Sequence, residues 1–240
     1  MVKLGELLAD CKLVFFDCDG VLLDSNGVKL AAVDHALAAY PALLRERCKD
    51  SFRLNFGRPR RWHFEAFQRL IGVAQEEDFV AASIARYEQY LQAHYRYSPA
   101  VAGAPHLLAR LTARGVICTV VSGGVEAEIN AALAECGMDR LLARVVGSPV
   151  TKIAAINALL EQYDCSAAQA VFLGDASADA EAAIACKVPF IFVSGHALIA
   201  RSTLSASWPE GHWGGEVPNL LADNAVSRFC VSSQTIKEES

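Results

Sequence analysis

No apolar run in the chain approaches the ~18 residues that a membrane-spanning helix needs, and no basic-plus-apolar leader opens it. These absences predict a soluble, cytoplasmic protein with no membrane partner. Positive charge is short as well: 22 Lys and Arg against 27 Asp and Glu give a net charge of -5. Bulk attraction to nucleic acid needs the opposite balance, so no nucleic-acid partner is expected. The eight cysteines include no C-x-x-C pair. Several sit in apolar segments, where free Cys behaves as a small hydrophobe, so a reduced compartment fits and a disulfide framework does not. Internal repeats and low-complexity tracts are missing too. What is abundant is apolar material, 53% of 240 residues, enough to bury one large core or two small ones.

The chemistry begins at Leu13-Val14-Phe15-Phe16-Asp17-Cys18-Asp19-Gly20. A short run rich in Val and Phe reads as a buried strand, and it stops where two carboxylates emerge. Two acids at one strand end repel each other, and a hard divalent cation with oxygen ligands is the usual remedy. Asp and Gly are equally at home in plain solvated turns, so this segment alone leaves both outcomes open.

From 27 to about 97 strand-like segments vanish, and helical periodicity appears at 28–40, 62–71 and 77–97, punctuated by Pro41, Gly57-Arg58-Pro59 and Gly72. Beyond a hinge at 98–105 the rhythm becomes strand then helix. Strands are expected at 116–121, 144–146, 170–173 and 190–193, with helices at 106–113, 126–136, 151–163 and 177–186. Such alternation predicts a parallel sheet with helices on both faces, to which 13–17 also belongs. The expected organisation is an α/β core from 1–25 and 98–240, interrupted by a helical domain at 26–97. Trp208 to Gly215 reads as a surface loop, 217–222 as a short closing element and 232–240 as a solvated end.

In parallel sheets the carboxyl ends of the strands share one edge, where ligands bind. Four polar features map there. Asp17 and Asp19 are the first. Ser122-Gly123-Gly124 follows the strand at 116–121; a hydroxyl and two unobstructed N–H groups at a helix N-terminus suit a phosphate, and Ser122 serves equally well as a simple cap. Lys152 falls in the first turn of a helix opened by Ser148-Pro149, where a cation opposes the helix dipole. Alone it reads as a surface lysine; beside an anionic ligand it reads as a counter-charge. Asp175 and Asp179 follow the strand at 170–173 and lie on one side of a helical turn. An acidic first turn is favoured in any helix, but four such coincidences in this order point to a site.

The order of these motifs, from Asp17 to about Val193, resembles the haloacid dehalogenase-like (HAD) phosphohydrolase superfamily. Asp17-Cys18-Asp19-Gly20-Val21 is similar to its nucleophile motif, Ser122 to its phosphate-binding Ser/Thr, Lys152 to its phosphate-neutralising lysine, and Asp175 with Asp179 to its acidic metal motif. The helical insertion resembles the cap of phosphoglycolate phosphatases and β-phosphoglucomutase. The resemblance implies a Rossmann-like parallel-sheet core with an inserted α-helical (C1-type) cap. It further implies a Mg2+-dependent phosphatase acting on a small phosphorylated metabolite, such as a sugar phosphate. Asp17 would form an aspartyl-phosphate, with Asp19 acting as acid and then base. Mg2+ would be held by Asp17, the Asp19 backbone carbonyl and Asp175, with Asp179 on a metal-bound water. Ser122, Gly123 and Lys152 would bind phosphate. By its position after Gly57, Arg60 resembles a substrate-binding cap arginine. Family dehalogenases lack the second acid because halide leaves without a proton, so Asp19 favours ester chemistry. Ile153 follows Lys152 where many relatives carry proline, which loosens the register of that motif. A phosphomutase using the same core residues is the alternative, and a non-catalytic binding protein is a third reading that the intact acids oppose.

Overall fold

The computed structural model describes residues 2–73, 78–205 and 208–229; Glu77, expected to open a helix, and the expected solvated end at 232–240 lie outside them. Among the described residues seven strands form one sheet: β1 (Leu13–Phe16), β2 (Ile117–Val125), β3 (Arg144–Ser148), β4 (Ala170–Gly174), β5 (Phe190–Val193), β6 (Gly214–Val217) and β7 (Ser227–Arg228). Their order is β3-β2-β1-β4-β5-β6-β7, and every neighbouring pair is parallel except β6 with β7. The helices are α1 (Leu4–Ala9), α2 (Asn26–Ala36), α3 (Ala42–Leu54), α4 (Arg60–Ile71), α5 (Phe79–His94), α6 (Ala104–Thr112), α7 (Glu126–Glu135), α8 (Lys152–Gln162), α9 (Ser177–Ala185) and α10 (Arg201–Ser205). The fold is the expected α/β class with a helical insertion, α2 to α5, after the first strand.

All four residues of β1 are buried, because helices cover both faces of the sheet. Val14, Phe16, Leu173 and Ile191 pack with Leu8 of α1, Leu108 of α6 and Ile129 of α7. Leu13, Phe15, Phe172 and Phe190 pack with Ile156 of α8 and Ala183 of α9. The strand register sets Phe15 beside Phe172 and Phe172 beside Phe190, and their rings meet edge-on at 6.3 and 6.2 Å. Each such burial contributes about 1.5–3 kcal/mol. The row of rings therefore fixes where β1 and β4 end, and with them the acids that follow.

The insertion has its own apolar centre, where Phe64 meets Phe67 and Tyr87 at 5.3 and 5.6 Å. The chain enters and leaves it side by side: Asp24 N donates to Pro99 O at 2.8 Å and Val101 N to Leu22 O at 2.9 Å.

Several local expectations are corrected. α3 lies in a stretch the periodicity passes over, because it buries only Cys48 and Phe52 among many charges. Ser122-Gly123-Gly124 does not open a helix. It forms the bulged end of β2, with α7 starting only at Glu126. The cap of α8 is Thr151, whose hydroxyl accepts from Ala154 N at 3.2 Å, rather than Ser148. The expected loop from Trp208 to Gly215 runs into β6, and Trp208 is buried against Phe190 and Phe229. A strand that opens with two glycines carries no apolar alternation to betray it. No helix among the described residues is long and apolar enough to cross a membrane, and their seven cysteines are free thiols.

Candidate active site

β1 and β4 are adjacent and parallel, so the acids following them emerge together. Asp17, Asp175 and Asp179 bring carboxylate oxygens within 4.8 Å of one another, all three buried. Asp179 is held by the start of α9, where Oδ2 accepts from Asp175 N at 3.2 Å and Ala176 N at 3.1 Å. Asn26 Nδ2 donates to Asp175 Oδ2 at 2.7 Å and to the His196 carbonyl at 2.8 Å, which draws the turn after β5 into the site. Gly20 makes this approach feasible. Its φ of +75° is a left-handed conformation, and a Cβ there would fall 2.0 Å from Asp175 Oδ2.

Lys152, buried at the start of α8, bridges Asp17 Oδ1 at 2.9 Å and Asp179 Oδ1. Despite burial, those two carboxylates hold its ammonium well above its ordinary value. Asp19 faces elsewhere: Ser25 Oγ donates to its Oδ1 at 2.6 Å and Lys29 Nζ to its Oδ2. Burial alone would raise the Asp19 carboxyl, but Lys29, Ser25 and Tyr95 outweigh it and hold Asp19 below the usual carboxylate range.

Four buried carboxylates (Asp17, Asp19, Asp175, Asp179) thus share two buried lysines (Lys29, Lys152), so ionising all four would leave negative charge uncompensated in the interior. Burial and Asp179 push Asp17 up to about 7. Burial, Asp17 and Asp179 push Asp175 well above its ordinary value. Among the described residues Asp175 Oδ1 finds no hydrogen-bond partner. An all-oxygen cluster with an orphaned carboxylate oxygen and more acids than cations around it fits a hard divalent cation. The Asp19 carboxylate is not part of that cluster.

A pH dependence follows. Asp17 binds its proton more tightly folded than unfolded, so its contribution to stability is full below about 3.8 and lost as pH rises through about 7. The cation-free protein should melt lower at pH 8 than at pH 5 from this group. A divalent cation should raise Tm more at pH 8 than at pH 5, as differential scanning fluorimetry would report; a larger shift at pH 5 would contradict the cluster.

Residues 11–187 match the haloacid dehalogenase-like hydrolases. The chain belongs to this family. No curated protein matches this HAD-like hydrolase in sequence. Its fold is shared by solved structures at low identity. A hydrolase from Pseudomonas syringae gives a TM-score of 0.72 at 18% identity, covering 88% of this chain and 95% of that one. The HAD-hydrolase YfnB from Bacillus subtilis, bound to magnesium, gives 0.63 at 15% identity with coverage of 88% and 95%. A predicted phosphoglycolate phosphatase from Haemophilus somnus gives 0.65 at 18% identity, with coverage of 77% and 86%.

In this HAD-like hydrolase the insertion covers the acids. A narrow space of about 30 Å3, room for one or two waters, lies among Asp17, Asp19, Lys29, Arg60, His63 and Ser122. Gly57, Arg58, Arg60 and Gly123 line both this space and a groove of about 670 Å3 that reaches Lys152, Val150 and Ile153. Gly123 admits the Gly57 backbone, since a Cβ there would fall 2.4 Å from the Gly57 carbonyl oxygen. Ser122 is buried beside it, its hydroxyl accepting from Gly124 N at 3.2 Å. Arg60 lines both spaces, but its guanidinium is engaged by Glu88 of the insertion at 3.0 Å and by Glu128 of the core.

Three polar residues at this site went unread in the sequence: Ser25, Asn26 and Lys29. Their signal is spacing. Ser25 and Lys29 are four apart at the start of α2, on one face of the first turn, directly after the acidic segment.

Proposed function

We propose that this hydrolase is a Mg2+-dependent phosphatase that cleaves a small phosphate monoester, such as a sugar phosphate, through an aspartyl-phosphate on Asp17. The observation that carries the reading is the grouping of Asp17 with Lys152, Ser122 and a second acid, Asp19, beneath one helical cover, on residues 26–97 read as a cap domain. A nucleophile, a buried counter-charge and a proton-transfer group are what ester cleavage at phosphorus requires.

A carboxylate oxygen of Asp17 attacks phosphorus in line, and the bond from phosphorus to the substrate oxygen breaks. Asp19 gives that oxygen its proton, so a neutral alcohol leaves. The proton is available because a phosphate dianion beside Asp19 raises its pKa, as like charges do. Water then attacks phosphorus, Asp19 takes its proton, and the phosphorus bond to Asp17 breaks to release inorganic phosphate. Lys152, the Ser122 hydroxyl and the Gly123 N–H hold the phosphoryl oxygens as charge spreads over them. Asp17, Asp175 and Asp179, with the Asp19 carbonyl, would hold Mg2+, which when bound would supply neutralisation of charge at the site.

The cations near the leaving-group side favour a neutral alcohol over a second anion. Lys29 is paired with Asp19, Arg60 with Glu88 and Glu128, and Arg58 with Glu181 at 2.7 Å. Phosphate release from a panel of phosphorylated metabolites, with Mg2+ and with chelator, tests the reading. Release is expected from sugar and polyol phosphates and is expected to cease with chelator. Chelator-resistant release would remove the metal, and absence of release from every ester would remove the phosphatase.

A further inference from the structure

We propose that Lys29 is the positioning residue for Asp19, so that the proton-transferring carboxylate of the core is oriented by the helical insertion. The inference rests on the reading of Asp19 as acid and base.

Asp19 belongs to the segment after β1, yet its carboxylate accepts from Ser25 Oγ and Lys29 Nζ, at the opening of α2, with the Tyr95 hydroxyl of the insertion also against it. Each carboxylate oxygen has one of these donors, which fixes both its rotation and its tilt. Lys29 is itself held by the insertion. Its ammonium lies 5.5 Å from the centroid of the Phe56 ring and 5.4 Å from that of Tyr95. Its side chain is only 11% exposed, and among the described residues its one ion pair is with Asp19. A buried ammonium is costly without a partner, so Lys29 and Asp19 keep each other in place. Lys29 also lines the narrow space over Asp17. The carboxylate it orients therefore sits where an alcohol would leave. Lys152 performs no such service, since its contacts are with Asp17 and Asp179. The two buried lysines divide the site into a phosphate half and a proton-transfer half.

The test compares kcat/KM, which reports the steps through departure of the alcohol, for two esters. Glycerol phosphate has a leaving group that needs a proton. p-Nitrophenyl phosphate has one that departs without it. Lys29→Met keeps the apolar stem and removes the ammonium. It should lower kcat/KM for glycerol phosphate about 10- to 100-fold, the usual penalty for a misplaced catalytic group, and leave the nitrophenyl ester within about threefold. Lys29→Arg should restore part of the loss on the glycerol ester. Tm and circular dichroism of each variant separate misfolding from misplacement, and Lys29→Gln stands in if Lys29→Met fails to fold. Equal losses on both esters in folded variants, with Asp19→Asn still discriminating between them, would overturn the role of Lys29 alone. If Asp19→Asn also lowers both esters alike, the acid–base reading of Asp19 fails and this proposal falls with it.

Discussion

Replacing Asp17 by Asn should lower phosphate release by at least about 10^3-fold while leaving the fold intact, as removal of a covalent nucleophile does. The side chain is buried, accepts from Lys152 at 2.9 Å and carries a carboxyl already pushed up to about 7 by burial and Asp179. Asn is nearly the shape of the protonated acid, so the metal-free variant should melt at or above the wild type at pH 8. Its response to divalent cation should shrink, because one of three clustered ligands is gone. Quench-flow with a labelled ester should show no acid-stable phosphoryl-enzyme in the variant. Wild-type turnover in Asp17→Asn would remove the nucleophile and the mechanism with it.

The second large effect is expected at a residue with no functional group. Gly20→Ala places a Cβ 2.0 Å from Asp175 Oδ2 and 2.5 Å from Asn26 Nδ2, at a φ of +75°. The left-handed backbone costs about 1–2 kcal/mol for alanine, and forced overpacking adds about 1–3 kcal/mol. Together these should lower Tm by roughly 10 °C in a chain of this size. Activity should fall further than stability, because the displaced group is a candidate metal ligand. A calorimetric scan beside a cation titration checks both; an unchanged affinity for cation would show that Asp175 is not pinned by this turn.

How much of this was legible in the sequence depended on whether a residue's role showed as a local pattern. β1 reads plainly because a strand covered on both faces must be apolar throughout, and the acids at its end interrupt that run. Asp175 and Asp179 are readable for the same reason after β4. Ser122 reads onto the right edge but into the wrong element: glycines after a strand look like a turn, whereas here β2 continues through them as a bulge. α3 and β6 were hidden, one by too many charges and one by glycine. Lys29 was hidden by ambiguity, since a lysine in a first helical turn reads as solvated until a buried carboxylate is found opposite it. Arg60 illustrates the converse. Its position suggested a substrate ligand, and only the fold brings Glu88 and Glu128 to it.

The paired linkers have an architectural consequence. Because Asp24 and Pro99 are hydrogen-bonded neighbours, the core sees the whole helical unit as a single long loop whose two ends nearly touch. Loop-closure entropy grows only slowly with length, so helices of another size can be spliced between those positions at little thermodynamic expense. The sheet would keep its register. What would be forfeited is Ser25, Asn26 and Lys29, which lie just inside the splice and belong to the site. The graftable boundary for anyone exchanging this module therefore lies after the first turn of α2, with residues 25–29 retained by the recipient core.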